Sequence, residues 1–217
     1  EWTYISRDGR RIPVLIGGSI LQNPKRETYG YVFVATDISE LKRVREELEQ
    51  MARIDALTGI SNRRFLEEEA RHIFASSRRH SHLMAVLLLD LDHFKAINDT
   101  FGHEVGDRVL KEVAAVCETE LRDEDVFGRL GGEEFLAVLP ETGSEEARYA
   151  AERLRNAVEA LEIEADERTV RVTVSIGVAI LAGEDDAFAA LLRRADEALY
   201  EAKRTGRNRT VTLPSNA

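Results

Sequence analysis

The chain of 217 residues holds a single cysteine, Cys117. No disulfide can form within it, so a fold suited to a reducing compartment is expected. Cys117 falls in an apolar helical pattern and is expected in the core. No apolar run reaches the roughly 18 residues a membrane-spanning helix requires, and no leader segment is recognisable. The sequence opens at Glu1 in mid-pattern, which reads as a piece of a longer protein. A cytoplasmic location is expected, with no membrane contact from this segment; attachment of the full-length protein through a region ahead of Glu1 stays open. Positive charge is also short: 30 Lys and Arg against 40 Asp and Glu give a net charge of −10, and aromatic residues make up only 6%. That balance argues against a basic, aromatic-lined groove for nucleic acid. It does not argue against one nucleotide bound with metal ions. Internal repeats and low-complexity segments are absent too. The remaining composition, 43% hydrophobic and 32% charged, is that of a globular protein, long enough for one large domain or a medium domain with a fragment.

Residues 1–37 read as strands and turns. Asp8-Gly9 separates Trp2–Ile5 from Ile12–Ile16, Asn23-Pro24 is a second turn signal, and Gly30 precedes Tyr31–Val34. Three strands are a thin core for an independent domain. Residues 38–54 read as a helix with Ser39 as N-cap. Within it Leu41, Val44, Leu48 and Met51 follow the a/d spacing of a coiled coil. The preferred reading is a dimeric linker, although two heptads are too short to dimerise strongly alone; a helix packed on its own domain is the other reading.

From residue 55 the composition becomes that of an α/β (α+β) domain. Leu83–Leu89 is a continuous apolar run, as expected of a strand buried on both faces. Val105, Val109, Val113, Val116 and Leu121 mark an amphipathic helix, and residues 126–139 a hairpin. Ala147, Ala150, Leu154, Val158 and Leu161 mark another helix, with Thr142 and Glu145 as a capping box. Val170, Val172, Val174, Ile176, Val178 and Ile180 alternate, which predicts one strand with one buried face. Phe188, Leu191, Ala195, Ala198 and Leu199 mark a last helix. The order strand, helix, hairpin, helix, strand, helix predicts a mixed central sheet flanked by helices, in the manner of a polymerase or nucleotide-cyclase palm.

The most informative stretch is Arg129-Leu130-Gly131-Gly132-Glu133-Glu134-Phe135. Adjacent glycines between two strand-like runs read as a two-residue hairpin turn, because tight turns need positive φ. Bare backbone and two carboxylates would then meet at one exposed tip, which suits an anionic ligand carrying a metal. A common turn followed by a solvated acidic pair is the bland alternative. Asp90 ends the buried strand, where α/β ligands bind, and Lys95 and the amides around Phe94 open the next helix, a ready anion site. If strand and hairpin are neighbours, Asp90 and Glu133 converge, and two carboxylates beside such amides can hold two Mg²⁺ ions about 3.5–4 Å apart. In the polar run that follows, Asn98, His103 and Asp107 stand out. An Asn–Asp pair can match the guanine edge, whereas adenine would leave them unpaired; each could also be only a cap or loop residue.

These segments together resemble the GGDEF-domain diguanylate cyclases, over essentially all of residues 55–217. The resemblance rests on Asp55–Arg64, Asp90–Asp99, Gly102-His103 with Gly106-Asp107, the Gly-Gly-Glu-Glu-Phe signature, and Ala202–Asn208. Residues 1–37, through Asp8-Gly9, Pro13-Val14, Gly30-Tyr31-Val32 and Asp37–Glu40, resemble more loosely the C-terminal part of a PAS sensor domain, leaving 38–54 as a signalling linker. The family resemblance implies condensation of two GTP into cyclic di-GMP and two pyrophosphates between two facing domains, so that a homodimer is needed. It implies two Mg²⁺ ions (Mn²⁺ being possible) on Asp90, the Leu91 carbonyl and Glu133, with Glu134 assisting, and Glu133 as base for the ribose 3′-hydroxyl. Asn98 and Asp107 would read guanine with His103 nearby; Phe94, Lys95, Lys203 and Arg207 would hold phosphates. Arg122 and Asp125 match the family's Arg-x-x-Asp inhibitory site for the product, with Arg153 a further arginine of that site; a plain surface ion pair is the other reading. Ile60 and Leu130 depart from the usual leucine and aromatic without removing a functional group, and Glu at the signature's fourth position is a common active variant. The alternative is a catalytically silent receptor for cyclic di-GMP or GTP. A palm-type nucleic-acid enzyme is opposed by the charge.

Overall fold

The computed structural model describes residues 1–51, 53–165, 168–183 and 187–213; Ala52 and residues 214–217 of the expected domains lie outside them. The chain divides into two compact units, Glu1–Ala52 and Arg53–Ala217.

The first unit is a three-stranded antiparallel sheet in the order β1 (Trp2–Ile5), β2 (Arg11–Gln22), β3 (Thr28–Asp37), followed by helix α1 (Ser39–Met51). Within the unit Val14 and Ile38 are buried, while Trp2, Ile5, Leu15, Ile20, Tyr31, Phe33 and Val34 are exposed. Ser39 is not the N-cap. It is the first helical residue, and its amide donates to Asp37 Oδ1 at 2.8 Å, so the cap comes from the end of β3. Leu41, Val44 and Leu48 are all exposed along α1; the Met51 side chain lies outside the described part of the chain.

The second unit is built on a six-stranded mixed sheet in the order β11-β10-β5-β7-β6-β4. Its elements are β4 (Ser61–Asn62), α2 (Arg63–His80), β5 (Met84–Leu91), α3 (Phe94–Phe101), α4 (His103–Glu120), β6 (Val126–Gly131), β7 (Glu134–Pro140), α5 (Ser144–Glu159), the small pair β8 (Ile163–Ala165) and β9 (Arg168–Val170), β10 (Val174–Ile180), α6 (Phe188–Arg204) and β11 (Thr210–Thr212). The expected mixed sheet between helices is borne out. Strand β5 is buried throughout. Its alternate residues serve two cores: Ala85, Leu87, Leu89 and Leu91 pack with α3, α4 and α5, and Met84, Val86 and Leu88 with α2 and α6. Cys117 is fully buried on α4, and burial pushes its thiol up to about 12, which leaves it protonated at neutral pH.

The alternation from Val170 to Ile180 is not one strand: Val170 belongs to β9, paired with β8, and β10 starts at Val174. Nor does β10 have one wet face. Val174–Ala179 are buried on both sides, because the small residues between the valines receive α6. At Gly177 a Cβ would come within 2.1 Å of the Ala195 carbonyl oxygen. Thr142 and Glu145 do not form a capping box either. The N-cap of α5 is Gly143, without a side-chain cap, and the Thr142 hydroxyl donates to the Pro140 carbonyl at 2.8 Å.

Candidate functional site

Pairing of β5 with β7 sets Asp90 opposite Glu134, and the Leu91 amide donates to the Glu133 carbonyl at 3.3 Å. The carboxylate-bearing strand end and the hairpin tip are therefore neighbours. The turn itself differs from the expected Gly131-Gly132. Gly131 still pairs with Glu134 across a register shift after Arg129, so the two loop residues are Gly132 and Glu133. Gly132 takes the left-handed backbone, φ +55°, and Glu133 sits in the turn with its side chain half-buried, beside exposed Glu134. Arg129 holds this tip: its Nε and Nη2 donate to the Gly132 carbonyl at 2.9 and 2.7 Å. Its Nη1 donates to Asp55 Oδ1 at 3.1 Å. That oxygen also accepts the Thr58 amide and hydroxyl. Burial would raise the Asp55 carboxyl, but the bonds from Thr58 and Arg129 outweigh it and hold it below the usual range.

Asp90 is 8% exposed. Burial pushes its carboxyl up, and the charges of Glu133 and Glu134 push the same way; Lys203, 2.8 Å from Oδ2, pulls it down without cancelling the rise. This is an acidic cluster short of positive charge, with hard oxygen donors. Among the described residues no three His, Cys, Asp or Glu side chains close into a ready-made metal cage; the one cation in contact with Asp90 is Lys203. The residues fit a divalent ion by donor chemistry and charge. Two residues along the strand direction, Asp92 is more deeply buried and takes bonds from Thr173, Ser175 and the Asn208 amide.

Helix α3 starts at Phe94 behind His93, whose φ of +58° and lack of a side-chain cap leave the first turn without a side-chain acceptor. Phe94 is buried and Lys95 exposed. Asn98 packs across the α3–α4 junction against Gly106. The Asn98 side chain lies over Gly106, where a Cβ would be 1.9 Å from Oδ1, and Asp107 is the next residue, exposed on α4. His103 opens α4 and is exposed. Arg207, exposed, follows α6 in a turn with left-handed backbone.

Arg122, Asp125 and Arg153 form a separate place. They line a cavity of about 220 Å³ with Thr142, Glu146 and Tyr149. Asp125 Oδ2 accepts the Arg122 amide at 2.9 Å. Its Oδ1 is buried without a hydrogen-bond partner among the described residues, and burial raises its carboxyl. Arg153 is turned to Glu120, with Nε 3.1 Å from Oε2. Sequence reasoning missed Tyr149, Glu146 and Thr142 here, and gave Asp92 and Arg129 no role. The helical step from Glu146 through Tyr149 to Arg153 puts those three on one face, a signal open to sequence reading. No described helix is long and apolar enough to cross a membrane.

The profile described as "Diguanylate cyclase, GGDEF domain" matches residues 52–209. A curated diguanylate cyclase of Vibrio cholerae is 40% identical over 190 residues, which are 88% of this chain and 59% of that protein. The chain thus spans less than two thirds of that relative's length. Among solved structures, the diguanylate cyclase SiaD of Pseudomonas aeruginosa, crystallised with its activator SiaC, is similar with a TM-score of 0.72 at 40% identity, over 80% of this chain and 66% of that one. The coiled coil and GGDEF domain of DgcB from Caulobacter crescentus, in complex with c-di-GMP, is similar with a TM-score of 0.71 at 31% identity, over 81% and 94%.

Proposed function

The chain belongs to the GGDEF diguanylate cyclase family, and on that premise we propose that it condenses two GTP molecules into cyclic di-GMP and two pyrophosphates. The observation that carries this is the convergence of Asp90, Glu133 and Glu134 where β5 meets the hairpin, with Lys203 on Asp90. In each half-reaction the 3′-hydroxyl oxygen of one GTP attacks the α-phosphorus of the other. A P–O bond forms, the bond to the β-phosphate bridge breaks, pyrophosphate leaves, and the hydroxyl proton passes to the Glu133 carboxylate. Asp90, the Leu91 carbonyl and Glu133, with Glu134 beside them, would hold Mg²⁺ or Mn²⁺. Bound there, the ions would supply charge neutralisation for the triphosphate. The chain's own residues do the positioning. Lys203, Arg207, Lys95 and the amides around Phe94 take the phosphates, and Asn98 and Asp107 take the guanine edge with His103 nearby.

One domain carries one such set, so the two nucleotides face each other only in a homodimer. The exposed Leu41, Val44 and Leu48 stripe of α1 suits a dimeric linker, and residues 1–37 suit the C-terminal part of a PAS-like sensor. Product would bind at Arg122, Asp125 and Arg153 and inhibit. Asp125 Oδ1, without a hydrogen-bond partner among the described residues, suits the N–H donors of a guanine edge, and DgcB, a relative, was crystallised with c-di-GMP. The test is incubation of the protein with GTP and Mg²⁺ at concentrations that ensure dimers, with Glu133→Gln alongside. Cyclic di-GMP from the wild type and none from the folded variant is expected. Binding of cyclic di-GMP or GTP with zero turnover would instead make it a silent receptor.

A further inference from the structure

We propose that Asp92 and Asn208 are positioning residues that clamp the turn carrying Arg207 against the end of β5. This rests on the reading above that Arg207 meets nucleotide phosphate. Asp92 is 5% exposed, and a carboxylate so buried needs a full set of donors. It has three and, among the described residues, no ion pair. Oδ1 accepts the Ser175 hydroxyl at 2.7 Å; Oδ2 accepts the Thr173 hydroxyl at 2.7 Å and the Asn208 backbone amide at 2.9 Å. Asn208 is gripped from the other side as well. Its Nδ2 donates to Glu159 Oε1 at 2.7 Å, and its Oδ1 accepts from Arg155 Nη1 at 2.9 Å. Arg155 is itself 2.7 Å from Glu159 Oε2. One residue thus ties the strand end to the last turn of α5.

The turn needs such a tie. Gly206, Arg207 and Asn208 have φ of +130°, +60° and +45°, and two non-glycine residues in the left-handed region persist only where their surroundings over-determine them. The Arg207 backbone is fixed at both ends: its amide donates to the Ala202 carbonyl at 3.0 Å, and its carbonyl accepts Arg209 Nε at 3.0 Å. Its guanidinium has no ion-pair partner among the described residues and is left for a ligand. Asp90 is the penultimate residue of β5, and Asp92 is the first residue of the turn that follows the strand. The first takes Lys203 and the second takes Asn208, so one strand end aligns both cations. A bidentate arginine contact depends on such alignment.

The experiment follows amide hydrogen exchange at residues 205–210 and GTP kinetics in the whole chain. Asn208→Gly keeps the left-handed backbone but removes the tie to α5. Thr173→Val removes one donor to Asp92 at nearly constant volume, and Thr173→Ser restores it. Asn208→Gly and Thr173→Val should speed exchange in this turn alone by about tenfold, raise KM for GTP by roughly three- to tenfold and leave kcat within about twofold, with Thr173→Ser like the wild type. Unchanged exchange in both variants overturns the clamp, and so does faster exchange with KM unmoved. A wild type that turns over no GTP would defeat the proposed function, while the exchange contrast would still decide the clamp.

Discussion

At the scale of single residues, Gly106 matters for the atom it lacks. A Cβ there would collide with Asn98 Oδ1, so Gly106→Ala must push Asn98 out of place. Alanine in a helix interior otherwise favours the helix by up to about 1 kcal/mol over glycine. The Cβ would also come within 3.3 Å of the buried Phe94 ring, so crowding opposes the propensity gain and thermal stability should change by no more than about 1 kcal/mol, while KM for GTP rises about tenfold, or ~1.4 kcal/mol. Unchanged KM would remove Asn98 from guanine recognition. Asp125 gives a pH prediction. Burial raises its carboxyl, so the protonated form persists to higher pH than for an ordinary carboxylate. If guanine N–H groups need the ionised form, product inhibition weakens as pH falls, starting above the usual carboxylate range. Calorimetry with cyclic di-GMP across that range checks it, and Arg122→Ala should relieve inhibition at every pH. Asp90, Asn98 and Asp107 stand out in the sequence because their chemistry and spacing are local. The proposed anchoring role of Asp92 does not, because its partners lie 81, 83 and 116 residues away.

At the scale of elements, the hairpin and β10 mark where sequence pattern stops. Two glycines announce a tight turn, but the register shift that moves the turn to Gly132-Glu133 is set by pairing. Alternation marks β10, but its small residues form a second buried face because α6 packs on them. Two substitutions test these contacts. Arg129→Ala frees the Gly132 carbonyl and leaves Asp55 with only its Thr58 bonds; kcat should fall about tenfold or more with the far-UV circular dichroism unchanged, because the loss is of tip geometry. Gly177→Val drives side-chain atoms into α6 and should destabilise the unit by about 3 kcal/mol in urea unfolding.

At the scale of the molecule, each of the two units has its own character. The first exposes much of its apolar sequence, and among its described residues Val14 and Ile38 are the buried ones. The second buries β5 completely and sets its acidic end against the hairpin. From β5 to α6 periodicity gives the order strand, helix, hairpin, helix, strand, helix, but it does not show α2, the break between α3 and α4, or the β8–β9 pair; the sheet order is not legible either, because β4 and β11 are short edge strands of two and three residues whose places depend on distant partners. On the proposed function, the Gly132-Glu133 tip is half of a site completed by a second copy. The most direct measurement is GTP turnover per protomer across a dilution series, with oligomeric state followed by light scattering. The rate per protomer should fall towards zero as dimers dissociate. A rate that stays constant into the monomeric range, or no cyclic di-GMP where dimers prevail, would contradict it.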